Sequence, residues 1–433
     1  MEAHLKLRKA TQHIWTFTIS KFISSVGVQV YTFAVSYYIL HLTGSASYFA
    51  INILCNVLPR TLASPIAGYF VDKYPRKRIV IISHIINIFI LFFMIILSKL
   101  VGLTLPIFYI ATILFTLTST FAGLAFTSSI SGLVDAKRIQ KAMSLNQMVI
   151  SISSIASPAI GGLTFALVNM PVLLTIYLSA VILALILEST MNFTLFSAKQ
   201  TSKTPKSQNS TMWLNIKEGL VYIKGKPLII SIISIALFIN FFAGAFQVGS
   251  SFTLINKLKM SSQHFGMIES ALAAGMLIVS IYLSIRKELK YPLMKAKYGI
   301  ILIGLLICIF TLPTFFRPSY TFVFSFYITI MLVYGAALTF INTPILVMLQ
   351  KEISDEFKGR VFSLLETGAQ ALVPLSTILF GILYDLIPFQ IVMLSAGFSL
   401  LIAVLYLART SVIQSVHPEL FEKKKNPVIR VSD

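Results

Sequence analysis

The feature that most limits what this chain can become is a series of twelve long apolar segments joined by connections that are mostly short. They fall at about 13–41, 46–70, 78–98, 103–130, 143–168, 171–191, 227–255, 263–286, 294–316, 320–349, 361–386 and 389–409. About 20 apolar residues suffice for a helix to cross the hydrocarbon of a bilayer. Hydrocarbon offers backbone amides no water, so a crossing segment must satisfy them internally, as a helix does. The composition agrees: 12% of residues are charged, against roughly 25% in soluble domains. Too little polar surface remains to cover a core in water. The sequence predicts an all-α, polytopic membrane protein of 12 transmembrane helices.

The net charge is +20, and its placement sets the topology. Of 35 lysines and arginines, 29 lie in the N-terminus, in alternate loops and in the C-terminal tail. The intervening loops hold Lys99, Lys257, Lys259 and Arg317. Cytoplasmic loops are the ones enriched in Lys and Arg. Both termini are therefore expected in the cytoplasm, in a cell membrane of bacterial type. The basic residues form no continuous face, which excludes a nucleic-acid partner. Cys55 and Cys308 both sit in apolar runs, so neither a disulfide framework nor a metal site is expected. The first apolar segment is too long for the core of a cleavable signal.

One connection is long. Residues 192–226 begin with a Ser/Thr/Lys/Gln stretch and end in an amphipathic segment around Trp213, Ile216, Leu220 and Ile223. That segment is expected to lie on the inner membrane face. The chain divides into a first six-helix bundle at 1–191, this linker, a second bundle at 227–410 and a tail at 411–433. A shift of 219 residues places Ser144-Leu145 on Ser363-Leu364, Gln147 on Glu366, Ser157 on Ser376 and Gly162 on Gly381. The halves thus read as repeats, an arrangement used by secondary transporters that bind substrate near the midplane.

Polar stripes pick out inward faces, because polar side chains in a membrane helix avoid lipid. Span one carries Lys21, Ser25, Gln29, Thr32 and Ser36 on one arc, and span four carries Thr116, Thr120, Gly123 and Thr127. Span seven carries Asn240, Gly244, Gln247 and Ser251, and span ten Tyr327, Tyr334 and Asn342. From these, Lys21, Gln29, Thr32, Thr120, Asn240, Gln247, Tyr334 and Asn342 are the candidate substrate-cavity residues. Small polar residues also serve as helix-packing glue, which is the plain alternative. The cavity is expected to be aromatic, polar and nearly uncharged. Intramembrane charge is the sharper signal, since a charge at the bilayer centre costs about 2.5–3.5 kcal/mol. Arg60, Glu269 and Glu366 are accordingly the proton-coupling candidates, with structural ion pairing as the alternative. No catalytic group is expected: the six histidines show no ligand spacing and no nucleophile–base pair is evident. No cofactor is expected either.

Two loops carry motifs. Gly68-Tyr-Phe-Val-Asp72-Lys73-Tyr74-Pro75-Arg76-Lys77-Arg78 resembles the gating signature between the second and third spans of the major facilitator superfamily. Gly68 is expected to permit close helix approach there. Pro75 stands where the family has glycine. The resemblance implies that Asp72, with Lys73, Arg76 and Lys77, helps to hold an inner gate; a topology-determining basic loop would also explain the cluster. Ser153-x-x-x-Ser157-Pro158-x-x-Gly161-Gly162 in span five is similar to the family's antiporter motif, with serines for its two leading glycines; a close-packed seam of small residues around the proline is the plain alternative. The segments Ala142–Gln147 and Lys358–Leu364, with Glu269-Ser-Ala, are similar to the macrolide-efflux and enterobactin-exporter-like branch. The resemblance covers the whole chain. It implies a monomeric exporter of a bulky amphipathic small molecule, a macrolide-like drug or a siderophore, driven by a proton or other coupling ion. An importer on the same fold is the runner-up, and a membrane-embedded enzyme the remote one. The family's span-four arginine is replaced by Ser119, and span one holds no acidic residue.

Overall fold

The computed structural model describes residues 2–196, 212–286, 289–316, 318–353, 355–409 and 414. These residues form fourteen α-helices: α1 (Glu2–Thr43), α2 (Ala46–Lys73), α3 (Arg76–Leu100), α4 (Leu105–Ser128), α5 (Ile130–Leu133), α6 (Ala136–Leu167), α7 (Met170–Thr190), α8 (Met212–Lys224), α9 (Pro227–Phe252), α10 (Ser262–Ile285), α11 (Pro292–Ile309), α12 (Tyr320–Glu352), α13 (Asp355–Leu386) and α14 (Phe389–Leu407). Among the described residues, eleven helices are long and apolar enough to cross a membrane, and α13 adds the shorter apolar stretch Leu372–Leu386. The expected order of spans is recovered. The first helix starts earlier than its apolar run, because α1 continues as helix through its basic leader.

Helix boundaries follow local chemistry. Gly44 takes a positive φ of 65° between α1 and α2, a conformation that costs a residue without a side chain little. Ser45 then caps α2 by accepting from the Tyr48 amide, and Asn169 caps α7 by accepting from the Val172 amide at 3.1 Å. Each such cap is worth about 1 kcal/mol. A π-helical turn at Thr253–Lys257 ends the seventh span.

The chain forms two compact units. The first comprises residues 1–205 together with 251–273, and the second comprises 206–250 and 274–433. In the first, α1 packs on α6 and α7, α4 packs on α2 and α3, and α3 packs on α7. In the second, α11 packs on α12 and α14, and α8 packs on α13. The amphipathic helix expected before the seventh span is α8. Its Tyr222 ring stacks on Phe357 at 4.6 Å and Ile223 is buried, while Leu220 and Val221 stay exposed. The Ser-rich part of the linker and the tail beyond 414 lie outside the described residues.

Candidate functional site

Four helices of the first unit carry their polar side chains at one level. Above and below are two separate apolar clusters. One contains Tyr31, Leu91, Phe115, Tyr177 and Val181, and the other contains Phe17, Val80, Phe126, Ile130 and Met191. In chain order, Ser20 and Lys21 fall between Phe17 and Tyr31 on α1. His84 and Asn87 fall between Val80 and Leu91 on α3. Thr118 and Thr120 fall between Phe115 and Phe126 on α4, and Glu188 falls between Val181 and Met191 on α7. Burying a polar group without a partner costs several kcal/mol, so this level is held together by reciprocal bonds.

Glu188 is its centre. Only 2% of the residue is exposed. Ser20 Oγ donates to Glu188 Oε1 at 2.5 Å, and His84 Nε2 lies 2.9 Å from Glu188 Oε2. The other ring nitrogen, His84 Nδ1, is buried and has no partner among the described residues. Beside this pair, Thr118 Oγ1 donates to Asn87 Oδ1 at 2.5 Å. The end of α7 is fixed as well: Lys77 Nζ donates to the Ser189 carbonyl at 2.5 Å and to the Met191 carbonyl at 2.9 Å. Terminal carbonyls of a helix lack intrahelical partners and carry negative partial charge, so a lysine suits that position.

A cavity of about 470 Å³ opens next to the pair. Lys21, Gln29, Arg60, Thr120, His84 and Glu188 line it. Three of the expected cavity residues and one expected coupling residue are thus brought together. Thr32 is not part of this lining; its hydroxyl donates to the Val28 carbonyl of its own helix at 2.8 Å. The lining also departs from the expected aromatic, nearly uncharged character. Four ionisable side chains face it, and Phe126 is its aromatic member, 5.9 Å from Lys21 Nζ. The reason is that the unit's other rings are used in packing: Tyr31 meets Phe115 at 4.9 Å and Tyr177 at 5.2 Å.

In the second unit the candidates are dispersed. Asn240 Nδ2 donates to the Ala236 carbonyl at 2.8 Å, and Gln247 and Asn342 are exposed. Tyr334 is buried and stacks on Phe246 at 4.3 Å. Glu269, in the first unit, is half-buried, has no hydrogen-bond or ion-pair partner among the described residues and is not part of the cavity lining. The side chains of Glu366 and Asp72 lie outside those described.

The two motifs take different forms. At Gly68 a methyl group would meet nothing within 4 Å among the described residues. Its stretch of α2 is exposed, with Tyr69 and Phe70 open. The basic residues instead act as helix clamps. Arg76 Nη1 donates to the Ser128 carbonyl at the end of α4 at 2.5 Å, Lys77 holds α7, and Lys73 Nζ donates to Tyr69 Oη at 3.1 Å. The span-five motif is a close-packed seam. A methyl at Gly162 would collide with the Ser262 carbonyl, and one at Gly266 with the Pro158 carbonyl. Gly161 lies against the Phe33 ring. Ser262 Oγ donates to the Gly162 carbonyl at 3.0 Å, and Ser270 Oγ accepts from the Ala159 amide at 3.1 Å. Ser153 and Ser157, which stand where glycines are usual, are fully buried with unpartnered hydroxyls among the described residues.

Sequence reasoning passed over Glu188, His84 and Ser20. The signal in the sequence was an acid and an imidazole near the ends of two apolar runs, which does not by itself mark a pair.

Comparison with known proteins adds three findings. The family model of the Major Facilitator Superfamily matches residues 17–376. Among curated proteins, the chain is 25% identical over 369 residues to an uncharacterized MFS-type transporter of Bacillus subtilis (strain 168), covering 82% of each chain. It is 22% identical over 383 residues to macrolide efflux protein A of Streptococcus pyogenes, covering 86% of this chain and 88% of that one. Among solved structures, it is similar to a bacterial homologue of the iron transporter ferroportin in an inward-facing state (TM-score 0.68, 15% identity, 92% of this chain and 99% of that one). It is also similar to a point mutant of the nucleoside transporter NupG (TM-score 0.66, 16% identity, 92% and 99%). At these identities the structural likenesses speak for the fold alone.

Proposed function

Because the chain belongs to the Major Facilitator Superfamily and is a membrane transporter of that fold, we propose that it exports a bulky amphipathic small molecule, a macrolide-like drug or a siderophore, in exchange for protons. The observation that carries this reading is the polar, charge-bearing cavity walled by α1, α2, α3, α4 and α7 inside an apolar bundle. A volume of about 470 Å³ in one unit is within the range of small-molecule sites, about 300–1,000 Å³. Gln29, Ser25 and Thr120 offer hydrogen bonds to a substrate, and Lys21 and Arg60 offer charge. Export, rather than import, is favoured by the antiporter-like seam around Pro158 and by the likeness to macrolide efflux protein A. The excess of Lys and Arg in alternate loops supports cytoplasmic termini in a bacterial plasma membrane.

Accumulation of a labelled macrolide, and secretion of siderophore, in cells with and without the gene test this reading. Lower macrolide accumulation or higher siderophore secretion in expressing cells, abolished by a protonophore, is the expected result. Equal accumulation and equal secretion would contradict export of both classes, and higher macrolide accumulation would reverse the direction.

A further inference from the structure

We propose that Glu188 and His84 form the site where this transporter takes up and releases its coupling proton. The inference depends on the export reading for what the proton drives, and not for where it binds.

Three observations converge. First, the pair is a carboxylate and an imidazole in direct contact, at 2.9 Å, with His84 7% and Glu188 2% exposed. Second, His84 Nδ1 is left without a partner, although every other polar atom of the two side chains is bonded. A buried polar atom left without a partner is costly. Third, both residues line a cavity with room for water or substrate. A proton arriving there forms an N–H bond at Nδ1 as an O–H bond of hydronium breaks. The imidazolium that results is neutralised by Glu188, whose other oxygen Ser20 holds. Release reverses both bond changes, returning the proton to water.

The surrounding charges suit reversible loading. On α1, Lys21 lies within electrostatic reach of Glu188. On α2, Arg60 lines the same cavity. On α3, Lys77 clamps the carbonyls beside Glu188. On α1, His13 Nε2 accepts from the Asn192 amide at 3.4 Å, just past the end of α7. On α4, the residues at this level are Thr118, Ser119 and Thr120, none of them charged. An added proton therefore meets one compensating anion and several cations. Glu269, the acid singled out by sequence, has neither a partner to hold a loaded proton nor a place in this cavity.

The test needs no substrate. Purified protein in liposomes on a solid-supported membrane is exposed to a pH jump, and the displaced charge is recorded as a function of final pH. Wild type and Glu269→Gln are expected to give equal currents, while Glu188→Gln and His84→Gln lose most of theirs. Ser20→Ala keeps both titrating groups and removes one bond to the carboxylate. It should retain the amplitude and move the midpoint by about one pH unit. A merely structural pair would leave that midpoint in place. Wild-type currents from well-assembled Glu188→Gln or His84→Gln, or loss of current in Glu269→Gln, would overturn the proposal. Should the first two variants not assemble, an unshifted Ser20→Ala profile overturns it on its own. Intact currents with no macrolide or siderophore export would sink the export reading and leave the proton site standing.

Discussion

The two units solve the problem of a polar interior in different ways. In the first, polar side chains bond one another across four helices, and their centre is an ionisable pair between two apolar clusters. In the second, aromatic hydroxyls reach backbone carbonyls. Tyr384 Oη donates to Ala245 O at 3.1 Å, and Tyr327 Oη donates to Phe310 O at 3.2 Å. The repeat-related fifth and eleventh spans show the same contrast at one position. Ser157 on α6 is buried without a partner among the described residues, whereas its counterpart Ser376 on α13 donates to the Phe241 carbonyl. Among the described residues, a buried ionisable pair stands at one level of the first unit, and in the second Phe246 stacks on Tyr334.

This contrast can be broken in graded steps, each read as thermal stability of purified protein in detergent. Removing one member of a buried pair strands the other, so Glu188→Ala should cost about 3 kcal/mol or more. Close backbone contacts occur in both units and should respond alike. Gly162→Ala meets the Ser262 carbonyl and Gly275→Ala meets the Leu332 carbonyl, and each should cost about 2 kcal/mol. In the second unit, Tyr384→Phe removes the hydroxyl that bonds Ala245 O and Met393 Sδ and leaves the ring packing, for a loss of about 1 kcal/mol. Smallest is the serine comparison. Ser376→Ala should destabilise by about 1 kcal/mol, while Ser157→Ala should be neutral or slightly stabilising, because its hydroxyl is already unpaired. Equal losses at the two serines would erase the asymmetry between the repeats.

The spans were legible because hydrophobic length is a local property. The seam at Ser153–Gly162 was legible too, since small residues around a proline read directly as close packing. Glu188 was not. It lies near the end of its apolar run, where an acid ordinarily reaches the interface. Only the docking of α7 on α3, with Lys77 clamped over its end, turns that carboxylate inward onto His84. At Gly68 the motif context pointed to a close neighbour, and none lies within 4 Å among the described residues. Of the stripe on span one, Lys21 and Gln29 line the cavity, while Thr32 bonds its own helix.

Proton-driven uptake of a labelled macrolide into inverted membrane vesicles puts the division of labour to its most direct trial, with wild-type, Glu188→Gln and Glu269→Gln proteins at matched expression. Location of the coupling group in the first unit's polar level predicts loss of uptake in Glu188→Gln and its retention in Glu269→Gln. Unchanged uptake in Glu188→Gln, with Glu269→Gln inactive, would contradict it.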